Sequence, residues 1–164
     1  MREVELEVNG VHVKHAVADN SVTLVNFLRE QMGLTGTHVG CDTAQCGACT
    51  VLIDGKAVKS CNVLVVQIEG KRVRTIEGVA NGAALHPMQR AFSAQHALQC
   101  GFCTPGMVMR GIAMACEGTP PDPECIRRGL CGNLCRCTGY EGIVLAIADG
   151  IRAMQGQGEE HARL

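Results

Sequence analysis

The sequence predicts an α+β chain in two lobes: strands with one helix over residues 1–78, then an all-α lobe of four short helices over residues 79–156. Three observations carry that expectation. Apolar residues recur at every second position in the first half and with helical spacing in the second. A Gly- and Ala-rich stretch, "EGVANGAALHP" (77–87), joins the two patterns. Large rings are scarce, with three Phe, one Tyr and no Trp in 164 residues, which suits two compact lobes better than one big core.

The elements follow in order. Residues 3–8 alternate Glu with Val and Leu, Asn9-Gly10 follows, and Val11, Val13 and Val17 resume the alternation. That is a strand, a tight turn and a second strand. In "SVTLVNFLREQMG" (21–33) the period changes, and Leu24, Phe27, Leu28 and Met32 share a helical face. Ser21 or Thr23 can cap its start and Gly33 can end it. Residues 50–53 and 56–58 flank Asp54-Gly55, a second hairpin signal, and 63–68 and 72–76 read as strands around Gly70. The four helices are expected near 86–98, 105–117, 122–130 and 140–155, with "EGTPPDPE" between the second and third. Residues 157–164 read as a flexible tail.

Charge excludes some functions. The formal net charge is −1, with acidic and basic residues mixed. No basic stripe tracks phosphates and few rings can stack on bases, so no nucleic-acid partner is expected. "MREVELEVNG" lacks the basic and apolar regions of a secretory signal. No apolar run approaches the ~20 residues of a membrane helix. A soluble, cytoplasmic chain is expected, and stable disulfides are uncommon there. Eleven Cys, an odd number, then point to metal.

Cys41, Cys46, Cys49 and Cys61 stand as C-x4-C-x2-C with a distant fourth Cys, the plant-type [2Fe-2S] pattern. Four thiolates must converge on two irons, and backbone N–H groups must face the sulfurs. Gly36, Gly40 and Gly47 are expected to let the loop curl through positive φ. Cys61 is expected from the far side of the 50–58 hairpin. Zinc favours two short knuckles and fits this spacing less well. His38 reads as a loop hydrogen bonder rather than a ligand.

The second group is less specific. Cys100 and Cys103 lie in "QCGFCTPGM", and Cys131, Cys135 and Cys137 in "GLCGNLCRCTGY". Thr104 and Thr138 each follow a Cys and can cap a helix, with Pro105 at a first helical position. Both pairs would then sit at helix N-termini, where the dipole favours thiolates. C-x2-C with C-x-C is also a four-thiolate zinc pattern, and the plant-type motif in the same chain favours iron–sulfur. Cys131 competes with Cys135; the pair directly before the helix favours Cys135 and Cys137. Cys116 and Cys125 fall on helices and read as small apolar fillers.

The motifs "GCDTAQCGACT", "SC", "QCGFCTPGM" and "GNLCRCTGY", in this order, resemble the small iron–sulfur subunit of the molybdenum hydroxylases, the xanthine oxidase family. "LTGTHVGCDTAQCGACTVLIDGKAVKSC" looks closest to the carbon monoxide dehydrogenase branch. The small subunits for nicotine, quinoline, caffeine and isoquinoline oxidation are similar, as is the wider family that oxidises N-heteroaromatics and aldehydes. The resemblance implies a ferredoxin-like (β-grasp) domain followed by a four-helix-bundle domain, each with one [2Fe-2S] cluster. It implies Cys41, Cys46, Cys49 and Cys61 as ligands of one, and Cys100, Cys103, Cys135 and Cys137 as ligands of the other. It makes Cys131 a bystander and places Gln99 and Cys100 beside the pterin of a molybdenum cofactor, molybdopterin with cytosine dinucleotide, on a large subunit. FAD would lie on a medium subunit, in a dimer of heterotrimers. The chain itself would be an electron wire; it carries no catalytic residues that can be assembled from the sequence. Two rivals are a free-standing ferredoxin-type carrier and a colourless zinc-structured adaptor.

Overall fold

The computed structural model describes residues 2–17 and 19–156. The expected tail at 157–164 lies outside the described residues.

Strands β1 (Arg2–Val8) and β2 (Val11–Val17) pair antiparallel around Asn9-Gly10. Those two residues hold φ of 52° and 81°, the left-handed pair that such a turn requires. Alternation buries Val4, Leu6 and Val8 and exposes Glu3 and Glu5. Strands β3 (Thr50–Ile53) and β4 (Lys56–Lys59) form the second hairpin at Asp54-Gly55. Strand β5 (Arg72–Arg74) runs parallel to β1 and antiparallel to β3. Among the described residues the five strands make one mixed sheet in the order β2-β1-β5-β3-β4.

The first helical segment is shorter than 21–33. Thr23 Oγ1 accepts the Asn26 N–H, so helix α1 (Leu24–Asn26) starts late and continues as a π-helical turn, Phe27–Gln31. Leu24, Phe27 and Leu28 pack with Val4, Leu6, Val51 and Val73 in the first core. Residues 63–68 do not form the expected strand. Leu64 makes only an isolated bridge to Thr23, and Val65–Gln67 turns as a 3₁₀ helix. Val65 and Ile68 are buried three residues apart, and the Gln67 side chain accepts the Leu64 N–H. Burial on one side of a single turn overrides the β propensity of the Val and Ile residues.

The second half holds α2 (Pro87–Ala94), α3 (Thr104–Cys116), α4 (Pro123–Gly129) and α5 (Glu141–Gly156). Helix α5 packs against the other three. Ile143, Ile147, Ile151 and Met154 line its inner face at helical spacing. Burying each of these side chains contributes about 1.5–3 kcal/mol. Helix α2 ends four residues before 98. Ala97 N–H reaches back to Phe92 O while His96 turns left-handed at φ 49°, a closing motif in which His stands where Gly is usual. Helix α3 packs on β3, and Leu52 of β3 belongs to the helical core.

Asp122 caps α4 by accepting the Cys125 N–H at 3.0 Å, and that bond first of all holds its carboxyl below the ordinary range. A depressed folded pKa stabilises above the unfolded value, about 3.9, and the gain is lost as pH falls through the folded value. Asp122→Ala should therefore lower the thermal midpoint at neutral pH. The gap to wild type should narrow as the pH drops from about 4. An equal gap at both pH values would contradict the capping role.

Candidate metal centres

The first thiol set lies on the loop that enters β3 and on the turn that leaves β4. Residues 41–49 wind without regular structure, and Cys61 sits in the 3₁₀ turn Ser60–Asn62 after the hairpin, as expected. Cys49 and Cys61 are buried; Cys41 and Cys46 are half-buried. The Thr43, Gln45 and Cys46 N–H groups all donate to Cys41 Sγ at 3.3–3.4 Å. Ala44 N–H donates to Cys61 Sγ at 3.3 Å, and Ala48 N–H to Cys46 Sγ at 3.5 Å.

The loop curls differently from expectation. Gly47 has φ 73°, but the other left-handed residues are Asp42 and Ala44, at 57° and 58°, and neither Gly36 nor Gly40 turns. Those two glycines supply space instead. A Cβ on Gly36 would stand 2.5 Å from Ile76 Cγ2, and one on Gly40 would stand 2.9 Å from Cys46 Sγ. The amide nest originates in the Asp42–Ala44 turn, where Ala44 packs against Val25, Cys49 and Cys61.

The surroundings of two of these thiols act in opposite directions. The Cys46 N–H first, then the Thr43 N–H and hydroxyl, lower the Cys41 thiol to about 6. Burial pushes Cys61 up to about 11 against the Ala44 N–H, and the Cys49 and Cys41 thiols add to the rise. A buried thiol of that kind ionises when a cation replaces its proton.

The second set comes from two loops that meet. Cys100 and Cys137 are exposed, with Sγ atoms 3.6 Å apart. Cys103 and Cys135 are half-buried beside the helical core. Burial, then the Cys135 side chain, pushes Cys103 up to about 12. Burial also opposes ionisation of Cys135, but the Thr138 hydroxyl and the Cys137 and Thr138 N–H groups outweigh it and lower its pKa. Cys103 does stand at the N-terminus of α3, without a side-chain cap. Thr104 Oγ1 is sealed from solvent with no hydrogen-bond partner, an orphan donor that a sulfur acceptor would satisfy. Helix α5 begins only at Glu141, so Thr138 is not its cap; the Thr138 hydroxyl faces Cys135 Sγ instead. Among the described residues no three Cys, His, Asp or Glu side chains close on one point as the ligands of a single ion do. The thiols pair instead, Cys100 with Cys137 and Cys103 with Cys135.

Comparisons with known proteins agree with this geometry. Residues 6–74 match the 2Fe-2S iron-sulfur cluster binding domain, and residues 75–148 match the [2Fe-2S] binding domain. The chain is 47% identical to the nicotine 6-hydroxylase small subunit of Paenarthrobacter nicotinovorans, over 90% of this chain and 88% of that one. The chain belongs to the small iron–sulfur subunits of the molybdenum hydroxylases. This iron–sulfur subunit is also 47% identical to the xanthine dehydrogenase iron-sulfur-binding subunit of Escherichia coli O157:H7, over 89% of this chain and 92% of that one. A solved structure of quinoline 2-oxidoreductase from Pseudomonas putida 86 superposes with a TM-score of 0.91 at 42% identity, covering 96% of this chain and 98% of that one. The chain is thus the iron–sulfur component of an oxidoreductase.

Three thiols of the subunit stand apart. Cys131 is exposed and lines an interlobe cleft of about 360 Å³ with Lys59, Arg110 and Arg128, which none of the other ten thiols lines. Cys116, expected as an apolar filler, is exposed, because it ends α3; Cys125 is half-buried on α4. Cys131→Ser should leave the iron content and both [2Fe-2S] signals unchanged. Loss of either signal would make Cys131 a ligand.

Sequence reasoning missed the residues that join the two sets. Leu134 N–H donates to Cys46 O at 2.8 Å. Asn133, 4% exposed, donates to Gly47 O and to Thr50 Oγ1, each at 3.2 Å. Lys59 Nζ holds Gly132 O. His38 is the expected loop bonder: its Nδ1–H donates to Phe102 O at 2.7 Å, and its ring stacks on Phe102 at 4.7 Å. Gln99 is exposed, between exposed Leu98 and Cys100.

Proposed function

We propose that the subunit relays electrons between partner subunits through two [2Fe-2S] clusters. Cys41, Cys46, Cys49 and Cys61 would hold one, and Cys100, Cys103, Cys135 and Cys137 the other. Such clusters, when bound, take up and release single electrons. The chain's own residues set the cages: the amide nest at 42–48 faces Cys41 and Cys46, and α3 presents Cys103. One observation carries the reading. Cys49 and Cys61 pack in the first lobe, Cys103 and Cys135 pack on the helical core, and Leu134 N–H joins the loop of the second group to Cys46 O of the first.

The order of transfer is part of the proposal. Among the eight thiols assigned to the clusters, Cys100 and Cys137 are the exposed ones, so their side would face the donor. There Gln99, a neutral amide, would hydrogen-bond the pterin of molybdopterin, as cytosine dinucleotide, on a large subunit. Electrons would leave from the Cys41 side to FAD on a medium subunit, within a dimer of heterotrimers in the cytoplasm. Among the described residues no helix is long and apolar enough to cross a membrane. The domain division is placed at 78/79 and the helical half read as a four-helix bundle.

Two substrate readings stand for the complex. The stretch 34–61 favours carbon monoxide, and the similarity to subunits named for nicotine and xanthine favours N-heteroaromatics. Dye reduction by the purified complex with carbon monoxide or with N-heterocycles separates them. The relay itself is tested by electron paramagnetic resonance of the dithionite-reduced, anaerobically purified complex. Two distinct [2Fe-2S] signals, one spin each per chain, are expected. One signal would return the second set to zinc or to a lost cluster, and none would overturn the relay. Purification without larger partner chains would favour the free-standing carrier.

A further inference from the structure

The stretch "CRCTGY" closes a ring of three hydrogen bonds. Cys135 N–H donates to Tyr140 Oη at 2.9 Å. Tyr140 N–H donates to Thr138 Oγ1 at 3.2 Å. Thr138 Oγ1 lies 3.1 Å from Cys135 Sγ. The ring settles which way the hydroxyl points. Its oxygen already accepts the Tyr140 N–H, so its proton is directed at the sulfur.

The backbone is bent to make this ring. Gly139 and Tyr140 are both left-handed, at φ 67° and 72°. Tyr140 is the one Tyr of the chain, and a bulky residue rarely adopts that conformation. Its ring packs against the helical core and its carbonyl accepts Val144 N–H, so α5 fixes the turn. Strain at a ligand loop, held by surrounding packing, marks a functional constraint.

We propose that Thr138 is a positioning residue that raises the reduction potential of the cluster bound by Cys135. The proposal rests on the reading of Cys135 as a ligand. A hydroxyl donating to a ligand sulfur withdraws charge from it. The reduced cluster carries one more negative charge, so the bond strengthens on reduction and favours the reduced state. Tyr140 acts on Thr138 and Cys135 together by holding the hydroxyl's acceptor side and the ligand's N–H.

The test is a redox titration of the intact complex, followed by electron paramagnetic resonance, for wild type, Thr138→Val and Thr138→Ser. The signal missing from Cys100→Ser identifies the relevant cluster. Thr138→Val should shift its reduction equilibrium about tenfold towards the oxidised form, about 59 mV for one electron. The other cluster should not move, and Thr138→Ser should titrate like wild type. Unchanged potentials in Thr138→Val overturn the proposal while leaving the ligand assignment intact. A wild-type complex with one signal overturns both. If Thr138→Val does not load iron, Thr138→Ala is titrated instead; loss of the cluster there too makes Thr138 purely structural and overturns the tuning role.

Discussion

Replacing Cys100 by serine is expected to stop turnover of the complex and to remove one of two [2Fe-2S] signals. Cys100 and Cys137 form the exposed thiol pair of the second set, 3.6 Å apart. Serine keeps the shape but is a much weaker ligand for iron, whose clusters are held by thiolates. Loss of a partner outside the ligand shell already costs 10–100-fold in typical metal sites, so a lost ligand should cost more than about 100-fold in turnover. The first set should survive, because Cys41, Cys46, Cys49 and Cys61 belong to a lobe with its own core. Spin counting and steady-state dye reduction check the two halves. Normal turnover would remove Cys100 from the set. Loss of both signals would mean that the lobes assemble as one unit.

Gly106→Ala should have the largest effect on stability. Gly106 lies in the first turn of α3, where the helix crosses the first thiol loop. A methyl there would run into Gly47 O, nearer than any real Cβ approaches, and stand 3.1 Å from Ala48 O. Both obstacles are backbone, and Gly47 O also accepts bonds from Asn133 and the Thr50 hydroxyl. No flexible side chain can move aside, so a cost of about 3 kcal/mol is expected. In a chain of this size that lowers the thermal midpoint by about 6–12 °C. The Leu134–Cys46 bond sits at the same junction, so the Gly106→Ala complex should also pass electrons between the sets more slowly. A wild-type midpoint would show that α3 and the loop can separate without loss.

Spacing made the chemistry of the first set readable. C-x4-C-x2-C needs no tertiary knowledge, since three of its thiols share one loop and the fourth follows one hairpin. Turn signals were equally direct: Asn9-Gly10 and Asp54-Gly55 stand where expected because both residues of each pair adopt positive φ. Propensity failed at 63–68, where burial of Val65 and Ile68 selects a helical turn. It failed again at α2, which His96 closes without the usual Gly. Thr often precedes a helix, which makes Thr138 a cap candidate in the sequence; the left-handed Gly139-Tyr140 turn delays α5 and turns the hydroxyl back to Cys135. The residues missed altogether, Asn133, Leu134 and Gly106, act through backbone groups more than 50 residues away in sequence, and no local pattern announces such partners.

The sequence by itself determined the two-lobe order, the thiol spacing and the family, because hydrophobic period, turn residues and ligand spacing are local properties of the chain. Tertiary structure alone decided that Cys135 lies with Cys103 while Cys131 faces an interlobe cleft, that Asp42 and Ala44 shape the amide nest, and that the two thiol loops touch backbone to backbone. Those outcomes depend on packing between distant segments, where a carbonyl finds its donor only after both lobes have formed.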